Sequence, residues 1–463
     1  MHQGLSVATI FPYGLLLGCS IPFLRRLIPA FDGQILHASV LLRFYCTKLS
    51  YFISSWGPAK RPPTPFDTIV SAEWFTEVLV EQKVIPKNVR VTAAKIADLK
   101  GNLGLASTIS RILVTYSEEH ETFPKSFILK QLSVRNLYNT LFSGHTKEAL
   151  FYEAFGEDFK ELIPRCYYQN TCFGRMIVIL EDLVSEKQAK SVNYLFGNQV
   201  WGVPEEMKVN APDQLVVLKE VFVLAARWHA KFWRNPKLLR NSWLKASLWY
   251  SNQDRARWET AIHLAENCWT KCKDKIDQNT IDFTFSDKLR KIIDASFEHT
   301  SWENLQRHLN DPKIPFTLCH GDFHAGNLFW LDSAEANNKI RAVDFSEVGP
   351  WEPTTCLGQT IISDVRPEIW KGKEKELITI YWNELVRNGV DATSYPLDDC
   401  YSQYERSSVE RWIWLLCILV SFPLPPSAKQ YFHDQLLAFI DAHNHYEYYE
   451  LKPVVCLPNL PLV

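Results

Sequence analysis

The sequence has few methionines and no clear excess of either charge. Only 3 of its 463 residues are methionine, and Lys plus Arg number 50 against 52 for Asp plus Glu. A chain so close to neutral provides no strong field to attract nucleic acid or an anionic surface, so we expect no nucleic-acid partner. The composition is otherwise that of a globular protein, and the length allows two or three domains or one two-lobed unit.

The chain also lacks any C-x-x-C pair. Its 11 cysteines are scattered from Cys19 to Cys456, a pattern that fits neither a secreted disulfide framework nor a zinc site. Cys268 and Cys272 can share a helix face, but no histidine stands beside them at ligand spacing. We therefore expect free thiols in a reducing compartment and a cytoplasmic protein.

Residues 3–24 contain no charged side chain and are followed by Arg25. Their length and basic flank suit a membrane anchor, although Pro12 and Pro22 interrupt the apolar run. Residues 1–61 contain six basic residues and one acid, which is typical of an organelle presequence. An anchor, a presequence and an extension without function remain open, and membrane contact is expected only through residues 3–24.

A proline-dense spacer, GPAKRPPTPF, separates this segment from the rest of the chain. We expect folded structure to begin near Phe66, and no internal repeat follows it. The sequence thus predicts an N-terminal extension with its spacer, a β-rich unit with a connector, a helical unit, and a tail, at residues 1–65, 66–183, 184–450 and 451–463.

The pattern of residues 89–183 predicts strand, turn, strand, loop, strand, helix, strand, strand. VRVTAAKIADL and STISRILVTY are β-rich runs joined by KGNLG, and SFILKQL is a third strand. The next segment places Glu148, Tyr152, Phe155 and Phe159 at helical spacing, and RCYYQNT and GRMIVILEDL then form a closing strand pair. The prediction is a small sheet with one helix, a layered α+β unit.

Helix dominates after residue 200. Asp213 is a start signal for a helix whose inward stripe includes His229, which we expect to be a satisfied core histidine. Helical periodicity continues over later segments, with Gly389 as the stop for one of them; these segments are 255–275, 285–310, 368–388, 397–420 and 426–443. Three short strands, FTLCHGDF, GNLFWL and KIRAVDF, interrupt the helical run.

Asp322, Asn327 and Asp344 stand at the ends of these short strands. A buried carboxylate without a nearby cation is costly, so it needs a partner. Mg²⁺ fits, because it binds oxygen ligands and commonly takes one or two carboxylates together with substrate phosphates. In a phosphoryl-transfer site one Asp faces the acceptor hydroxyl, while an Asn five residues later and a second Asp bind metal. The alternative is an unrelated set of turn and cap residues.

Lys130 ends the apolar run FILK, and Glu148 follows on the predicted helix. A strand lysine paired with a helix glutamate is the arrangement by which kinases hold the nucleotide. The turn that contains Gly101, Gly104 and Ser107 would then place backbone amides over the phosphates. An ordinary turn is the alternative for these glycines.

At these residues the chain resembles a known family. HGDFHAGNLF followed by AVDF is similar to the catalytic and metal loops of the aminoglycoside phosphotransferase and choline kinase-like superfamily. FILK, KEALFYEAF, IVILEDL and LAARWHAKFW resemble its ecdysteroid kinase-like branch, so the resemblance covers about residues 66–443. It implies an α+β, two-lobed protein-kinase-like fold with a small β-rich N-lobe and a larger helical C-lobe. It also implies an enzyme that uses ATP and Mg²⁺ to phosphorylate a hydroxyl of a small-molecule acceptor.

The resemblance assigns a role to each residue that matches the family motifs. Asp322 becomes the catalytic aspartate, and Asn327 and Asp344 become the Mg²⁺ ligands. Lys130 becomes the phosphate-binding lysine, and Glu148 becomes its ion-pair partner.

The connector between the lobes would run from Ile179 to Leu183 and would include Glu181, with its backbone meeting adenine. His320 would brace the catalytic loop. His324 is expected to pack within that loop rather than to bind phosphate.

The sequence departs from the family pattern in several places. The glycine turn lacks a third glycine, Phe345 and Ser346 replace a more usual Trp or Glu, and EPTTCLGQT has no obvious acidic residue to support the metal loop. An A-P-E segment is absent, which favours a small acceptor over a protein. Trp412 and Trp414 are candidates for an aromatic cage around a quaternary ammonium, although core packing is the simpler expectation. The alternative from another class is a pseudokinase-like binding or scaffold protein.

Overall fold

The computed structural model describes residues 70–103, 107–132, 146–172, 175–200, 202–203, 212–332 and 338–443. The predictions for the N-terminal extension and for the tail after residue 450 lie outside these residues. Within them, no helix has both the length and the apolar character needed to cross a membrane.

The first lobe is a five-stranded antiparallel sheet in the order β1-β2-β3-β5-β4, with one helix at its N-terminal end and another inserted between β3 and β4. The elements are α1 (Ala72–Glu81), β1 (Val91–Leu103), β2 (Ser107–Tyr116), β3 (Ser126–Leu132), α2 (Lys147–Phe159), β4 (Cys166–Cys172) and β5 (Arg175–Glu181). The predicted strand and helix order from residue 89 onward is confirmed, whereas α1 was not predicted.

Side chains along β3 alternate between the two faces of the sheet, and this alternation determines which face Lys130 occupies. Phe127 and Leu129 lie in the cluster that packs against α1, whereas Ile128 packs against the other core cluster, which includes α2. Successive strand residues face opposite sides of a sheet, so Lys130 shares the α2 face with Ile128. Its ammonium is thereby brought to the helix that carries Glu148.

The second lobe is mainly helical. Its helices are α3 (Leu183–Lys187), α4 (Val192–Leu195), α5 (Gln214–Ala230), α6 (Arg255–Asp277), α7 (Asp287–His299), α8 (Trp302–Leu309), α9 (Thr354–Asp364), α10 (Pro367–Trp370), α11 (Glu374–Arg387), α12 (Leu397–Leu419) and α13 (Pro426–His443). Short 3-10 turns lie at Leu238–Arg240, Trp249–Ser251 and Ala325–Asn327. The α+β fold class with a small sheet lobe and a larger helical lobe is confirmed.

The short strands within this lobe form two small sheets. They are β6 (Lys190–Ser191), β7 (Thr317–Cys319), β8 (Leu328–Trp330), β9 (Ile340–Ala342) and β10 (Gly349–Trp351). β10 pairs with β7, and β8 lies between β6 and β9, all antiparallel. These pairings hold the loops after β7 and β9 side by side, which is where the predicted site residues stand.

Three helix predictions need correction. The predicted helix 368–388 is two helices, α10 and α11, because Lys371 leaves the helical conformation and Gly372 has a positive φ of 75°. The predicted helix 285–310 is two helices, because Ser301 adopts an extended conformation and its hydroxyl accepts a hydrogen bond from the Asn304 N–H at 3.1 Å, which caps a new helix. The segment that contains EPTTCLGQT, which had no predicted element, forms α9. Residues 354–362 of α9 are all buried, so the helix has no polar face to create a period in the sequence.

Aromatic stacking joins the lobes. The ring of Phe151 on α2 stacks on Phe345, the residue after Asp344, with centroids 4.0 Å apart. Phe159, two turns further along α2, stacks on Trp228 of α5 at 3.9 Å. The helix that carries Glu148 therefore belongs to the first lobe and packs into the core of the second lobe. This packing fixes the position of Glu148 with respect to both lobes.

Candidate active site

Lys130, Glu148 and Asp344 meet in one cluster of charges. The Nζ of Lys130 lies 2.6 Å from Oε2 of Glu148 and 3.0 Å from Oδ2 of Asp344. The side chains of Lys130 and Glu148 are 7% and 1% exposed, while that of Asp344 is 35% exposed. A single ammonium from the sheet thus contacts a carboxylate on α2 and a carboxylate of the second lobe, and only the latter is open to the cleft.

Burial and mutual attraction act against each other in this cluster. Burial raises the pKa of Glu148 to about 7, although the neighbouring Lys130 ammonium lowers it. The carboxylates of Asp344 and Glu148 raise the pKa of Lys130 in spite of burial, which acts in the opposite direction. Burial also acts to raise the pKa of Asp344, but the attraction of Lys130 prevails and the pKa is lowered.

Asp344 follows β9 in an unusual backbone conformation. Its φ is +67°, in the left-handed region that Asp tolerates better than most residues. The Val343 N–H donates to the carbonyl of Asn327 at 2.9 Å, so the loops that carry Asn327 and Asp344 are adjacent. Among the described residues, the Oδ1 of Asp344 is buried and accepts no hydrogen bond of ordinary geometry, so this atom can face a cation.

The loop after β7 turns sharply at Gly321. Its φ is +84°, and an added Cβ would stand 2.0 Å from the carbonyl oxygen of Glu347, so only glycine fits. His320 braces this turn on two sides, because its Nε2 donates to the Val343 carbonyl at 2.9 Å and its Nδ1 accepts from the Asp322 N–H at 3.3 Å. Burial lowers the pKa of His320, and the neutral ring meets both of these contacts.

Asp322 is held by several donors. Its Oδ1 accepts from Gln359 Nε2 at 2.8 Å and from Arg411 Nη2 at 3.1 Å. Its backbone carbonyl and Oδ2 both accept from Asn327 Nδ2, at 3.0 and 3.3 Å. Although burial acts to raise it, the charges of His324 and Arg411 and the Gln359 bond lower the pKa of Asp322 to about 2, so the carboxylate is ionised at neutral pH.

Helix α9 supports this loop from below. The amide oxygen of Gln359 accepts from the Phe323 N–H at 2.9 Å while its nitrogen donates to Asp322, so one side chain holds both residues. Asp364 accepts from the Ala325 N–H at 2.8 Å. The support expected from an acidic residue after the metal loop therefore comes from an amide and from a carboxylate at the end of α9. Neither Gln359 nor Asp364 was found from the sequence, because no helix was predicted there.

The oxygen atoms in this cleft suit Mg²⁺. Asp344 supplies a buried Oδ1 that accepts no hydrogen bond of ordinary geometry within the described part of the chain, and the carboxylate of Asp322 lies beside Asn327. Because Asn327 uses its nitrogen toward Asp322, its Oδ1 is the amide atom available to a metal. An all-oxygen donor set with one or two carboxylates is what Mg²⁺ commonly binds.

For the other predicted nucleotide contacts, the structure shows which elements contain them. Gly101 lies within β1 and Ser107 begins β2, so the strands extend into the predicted turn, and Gly104 lies outside the described residues. Glu181 ends β5, and its backbone N–H donates to the carbonyl of Arg165 at 2.8 Å. Leu183 begins α3, and an N–H in the first turn of a helix has no partner within that helix.

Asp182, between these two residues, fixes the connector. It is fully buried, and it accepts from Arg111 Nε at 2.5 Å and from the Ser126 hydroxyl at 2.9 Å. It also caps α3 through the Ser185 N–H at 3.0 Å. Although burial acts to raise it, these donors lower the pKa of Asp182. The connector is thus tied to β2 and β3 by one buried carboxylate.

His229 lies under the loop, as expected of a core histidine. It is 1% exposed, and its Nδ1 is 2.9 Å from the hydroxyl of Tyr381. The structure adds an arrangement that the sequence spacing did not indicate, since ligand atoms of His229, Cys319 and Cys356 all lie within 4.8 Å of one another. These three side chains join α5, β7 and α9 directly beneath the turn that presents Asp322.

Comparison with known proteins supports the resemblance stated from the motifs. Residues 226–392, which contain Asp322, Asn327 and Asp344, match the ecdysteroid kinase-like family. No curated protein matches the chain significantly.

Several solved structures are similar at low sequence identity. A choline kinase from Cryptosporidium parvum Iowa II is 12% identical, with 81% of this chain and 97% of that chain covered and a TM-score of 0.45. A choline kinase from Streptococcus pneumoniae is 10% identical, with 79% and 98% covered and a TM-score of 0.40. A GDP complex of an aminoglycoside 2'-phosphotransferase is 12% identical, with 81% and 98% covered and a TM-score of 0.40.

Proposed function

Because residues 226–392 match the ecdysteroid kinase-like family, we propose that this chain is a small-molecule kinase that transfers the γ-phosphate of ATP, with Mg²⁺, to a hydroxyl of an organic acceptor. The observation that carries the proposal is the contact of Lys130 with both Glu148 and Asp344, beside the hydrogen-bonded pair of Asp322 and Asn327. These residues come from β3, α2 and two loops of the second lobe, and phosphoryl transfer is the chemistry that needs them together.

In this proposal each group has one task. Lys130 binds the phosphates and Glu148 holds its ammonium in place, while Asn327 and Asp344 are the metal ligands. Mg²⁺, when bound, neutralises charge on the transferring phosphate. The ionised Asp322 orients the acceptor hydroxyl and accepts its proton. Most of the rate gain then comes from positioning and charge stabilisation, since the protein has little covalent chemistry to perform.

The contact between Lys130 and Asp344 suggests how the nucleotide is admitted. The ammonium lies 3.0 Å from Oδ2 of Asp344, a carboxylate that the proposal assigns to the metal. When phosphates are bound they offer Lys130 another anion, which releases Asp344 for the metal. In the proposed nucleotide site, Gly101, Gly104 and Ser107 cover the phosphates, and the backbone of Glu181 and Leu183 meets the adenine.

Asp322→Asn tests the proposal. It removes the proton acceptor but keeps a side chain of the same size, so we expect turnover to fall by about 10²–10⁴-fold while the affinity for MgATP stays nearly unchanged. Turnover is measured as phosphate transfer to a panel of hydroxylated metabolites followed by mass spectrometry. Asp398→Asn is the matched control, since Asp398 is an exposed carboxylate in the first turn of α12. Normal turnover in the Asp322 variant would contradict the assignment.

A thermal-shift measurement separates the enzyme from a pseudokinase-like scaffold that binds no nucleotide. An enzyme of this design is stabilised by MgATP, because a ligand that binds only the folded state raises the free energy of unfolding. Melting temperatures that do not change with MgATP would favour the scaffold.

A further inference from the structure

Three side chains that can bind a metal ion meet in the core beneath the proposed catalytic loop. Ligand atoms of His229, Cys319 and Cys356 all lie within 4.8 Å of one another, and the three residues are buried. Among the described residues, no other group of three His, Cys, Asp or Glu side chains brings its ligand atoms so close together. Both cysteines are free thiols, so their sulfurs are available for coordination.

The three residues come from three different elements. His229 lies near the end of α5, Cys319 ends β7, and Cys356 lies in the first turn of α9. They stand far apart in the sequence, so no spacing of the C-x-x-C kind could indicate them. A group of this kind becomes visible only when the fold brings the elements together.

Hydrogen bonds outside the group hold these elements in place. The Thr317 hydroxyl of β7 donates to the carbonyl of His229 at 2.6 Å. The Thr360 hydroxyl of α9 donates at 2.7 Å to the carbonyl of Phe323, in the loop that follows β7. The fold therefore brings the imidazole and both sulfurs together without needing a metal ion to do so.

The separations suit Zn²⁺. Zinc binds Cys sulfur at about 2.3 Å and His nitrogen at about 2.0–2.1 Å, so the ligand atoms of a tetrahedral site lie about 3.5–3.8 Å apart. The ligand atoms of this group are at most 4.8 Å apart, so closing around the ion requires movements of about 1 Å or less, which side-chain rotation can supply. Two cysteines and one histidine are also a known zinc ligand set, with a fourth position left for water.

Tyr381 supports the histidine in the way that is typical of metal sites. Its hydroxyl lies 2.9 Å from Nδ1 of His229, and both residues are buried. A histidine that binds a metal through one ring nitrogen almost always forms a hydrogen bond through the other, which fixes the orientation of the ring. A metal ion at Nε2 of His229 would leave the contact with Tyr381 intact.

The balance of charge and protons also allows the ion. Two thiolates cancel the charge of Zn²⁺, so coordination introduces no net charge into the core. The Cys319 thiol donates to the carbonyl of Trp351 at 3.4 Å, and a thiol is only a weak donor. The protons of Cys319 and Cys356 leave as the metal binds, and the loss of this weak hydrogen bond costs little.

We propose that His229, Cys319 and Cys356 bind one Zn²⁺ ion, with a water molecule as the fourth ligand. The ion joins α5, β7 and α9 at the point where β7 leads into the proposed catalytic loop, so it stabilises the base of that loop. None of the three residues has a task in the proposed phosphoryl transfer. The site is therefore tested by metal content and stability, and not by turnover.

The first test measures the metal in the full-length chain. The protein is produced in zinc-supplemented medium and purified without chelator, its affinity tag is removed, and excess Mg²⁺ occupies the proposed magnesium site. Plasma mass spectrometry should find about one zinc ion per chain in the wild type and in Cys417→Ala, and almost none in Cys356→Ala. Cys417 is the control because it is a buried free thiol outside the group. A wild type without zinc, or equal zinc in both variants, would overturn the inference.

The second test needs no variant and identifies the ligands. Production in cobalt-supplemented medium places Co²⁺ in zinc sites, and thiolate ligands give bound Co²⁺ a strong charge-transfer absorption in the near ultraviolet. Oxygen ligands, such as those of the proposed magnesium site, do not. Cobalt-grown wild type that lacks this absorption would overturn the inference even if Cys356→Ala failed to fold.

Zinc should also stabilise the folded chain, because an ion that binds only the folded state raises the free energy of unfolding. A chelator with high affinity for zinc and low affinity for magnesium should lower the melting temperature by about 5 °C in the wild type and in Cys417→Ala. The melting temperature of Cys356→Ala should not change. An equal effect of the chelator on all three proteins would count against the site.

A disulfide between Cys319 and Cys356 is the competing outcome. Alkylation in denaturant, on protein prepared without reductant, labels both cysteines of a zinc-bound chain but neither cysteine of a disulfide. Peptide mass spectrometry detects the label, and we expect both residues to carry it. Labelling that requires prior reduction would show a disulfide and overturn the inference.

Discussion

Lys130 is the residue on which the charge balance of the cleft depends. Its ammonium lies 2.6 Å from Oε2 of Glu148, a residue whose side chain is 1% exposed, and it also contacts Asp344. A buried carboxylate that loses the cation paired with it keeps the free-energy cost of its desolvation. This cost is usually larger than the net stabilisation that the intact ion pair provides. The cluster therefore couples nucleotide binding to stability.

Lys130→Met should lower the free energy of unfolding by roughly 3–5 kcal/mol at pH 8. The loss should be smaller at pH 5, because burial already raises the pKa of Glu148 to about 7 and a carboxyl with a raised pKa takes up a proton in the folded state as the pH falls. Urea unfolding at both pH values measures it. Lys95→Met, an exposed site on β1, is the control. Adding Glu148→Gln should restore most of the loss, and a loss independent of pH would contradict the account.

Lys147 should show the opposite behaviour. Its pKa is lowered from 10.5 to about 7, so the folded state gives up a proton that the unfolded chain keeps, and wild-type stability rises with pH between these values. Lys147→Met should therefore be more stable than the wild type by a few kcal/mol below pH 7, with the advantage shrinking as the pH approaches 10.5. Urea unfolding at pH 6 and pH 9 compares the two proteins, with Lys160→Met as control. A Lys147 variant that is less stable at pH 6 would count against a destabilising buried ammonium at this position.

Single residues were predictable where a motif carries the chemistry. Asp322, Asn327 and Asp344 lie in loops between short apolar strands. A polar side chain is costly to bury there unless it binds a partner, so its presence indicates a function. Gln359 and Arg411, which hold Asp322, were not predicted. Both residues lie at buried positions of a helix. The sequence of a helix does not indicate which loop its buried face will contact in the folded protein.

Helix α9 is the element that connects the proposed catalytic loop to the core. Residues 354–362 are buried, and the polar ones among them are used internally, as when the Thr360 hydroxyl donates to the Phe323 carbonyl at 2.7 Å. The elements with one exposed face, such as α2 and α5, were predictable from periodicity. α9 was not, because burial on all sides removes the contrast on which periodicity depends.

Gln359→Leu tests the role of α9. The change leaves the Phe323 N–H without an acceptor and Asp322 without one donor, so we expect kcat to fall roughly tenfold to a hundredfold while MgATP affinity is kept. Because the Gln359 bond helps lower the pKa of Asp322, the acid limb of the kcat/KM profile should move to higher pH. Gln430→Leu on α13, far along the chain from the loop, is the control. A loss of kcat without a shifted acid limb would indicate only a structural role.

At the scale of the whole molecule, the two lobes share one core. The larger cluster of buried side chains includes Phe151 and Phe159 of α2 and Val178 of β5 together with the helices of the second lobe. A smaller cluster, which includes the fully buried Phe75, lies between α1 and the sheet. Lobes that share buried side chains lose them together, so the described part of the chain should unfold cooperatively.

Phe151→Ala should lower the stability of both lobes together. The ring is fully buried and stacks on Phe345 and Trp228, and such truncations typically cost about 3–5 kcal/mol. Calorimetry should therefore show one main transition that moves to lower temperature as a whole. Phe75→Ala, which removes a ring confined to the first lobe, is the informative comparison. If the shared core couples the lobes, Phe75→Ala shifts the same single transition to lower temperature. A second transition that only Phe75→Ala moves would contradict this coupling. It would mean that the two lobes unfold separately although α2 packs against the second lobe.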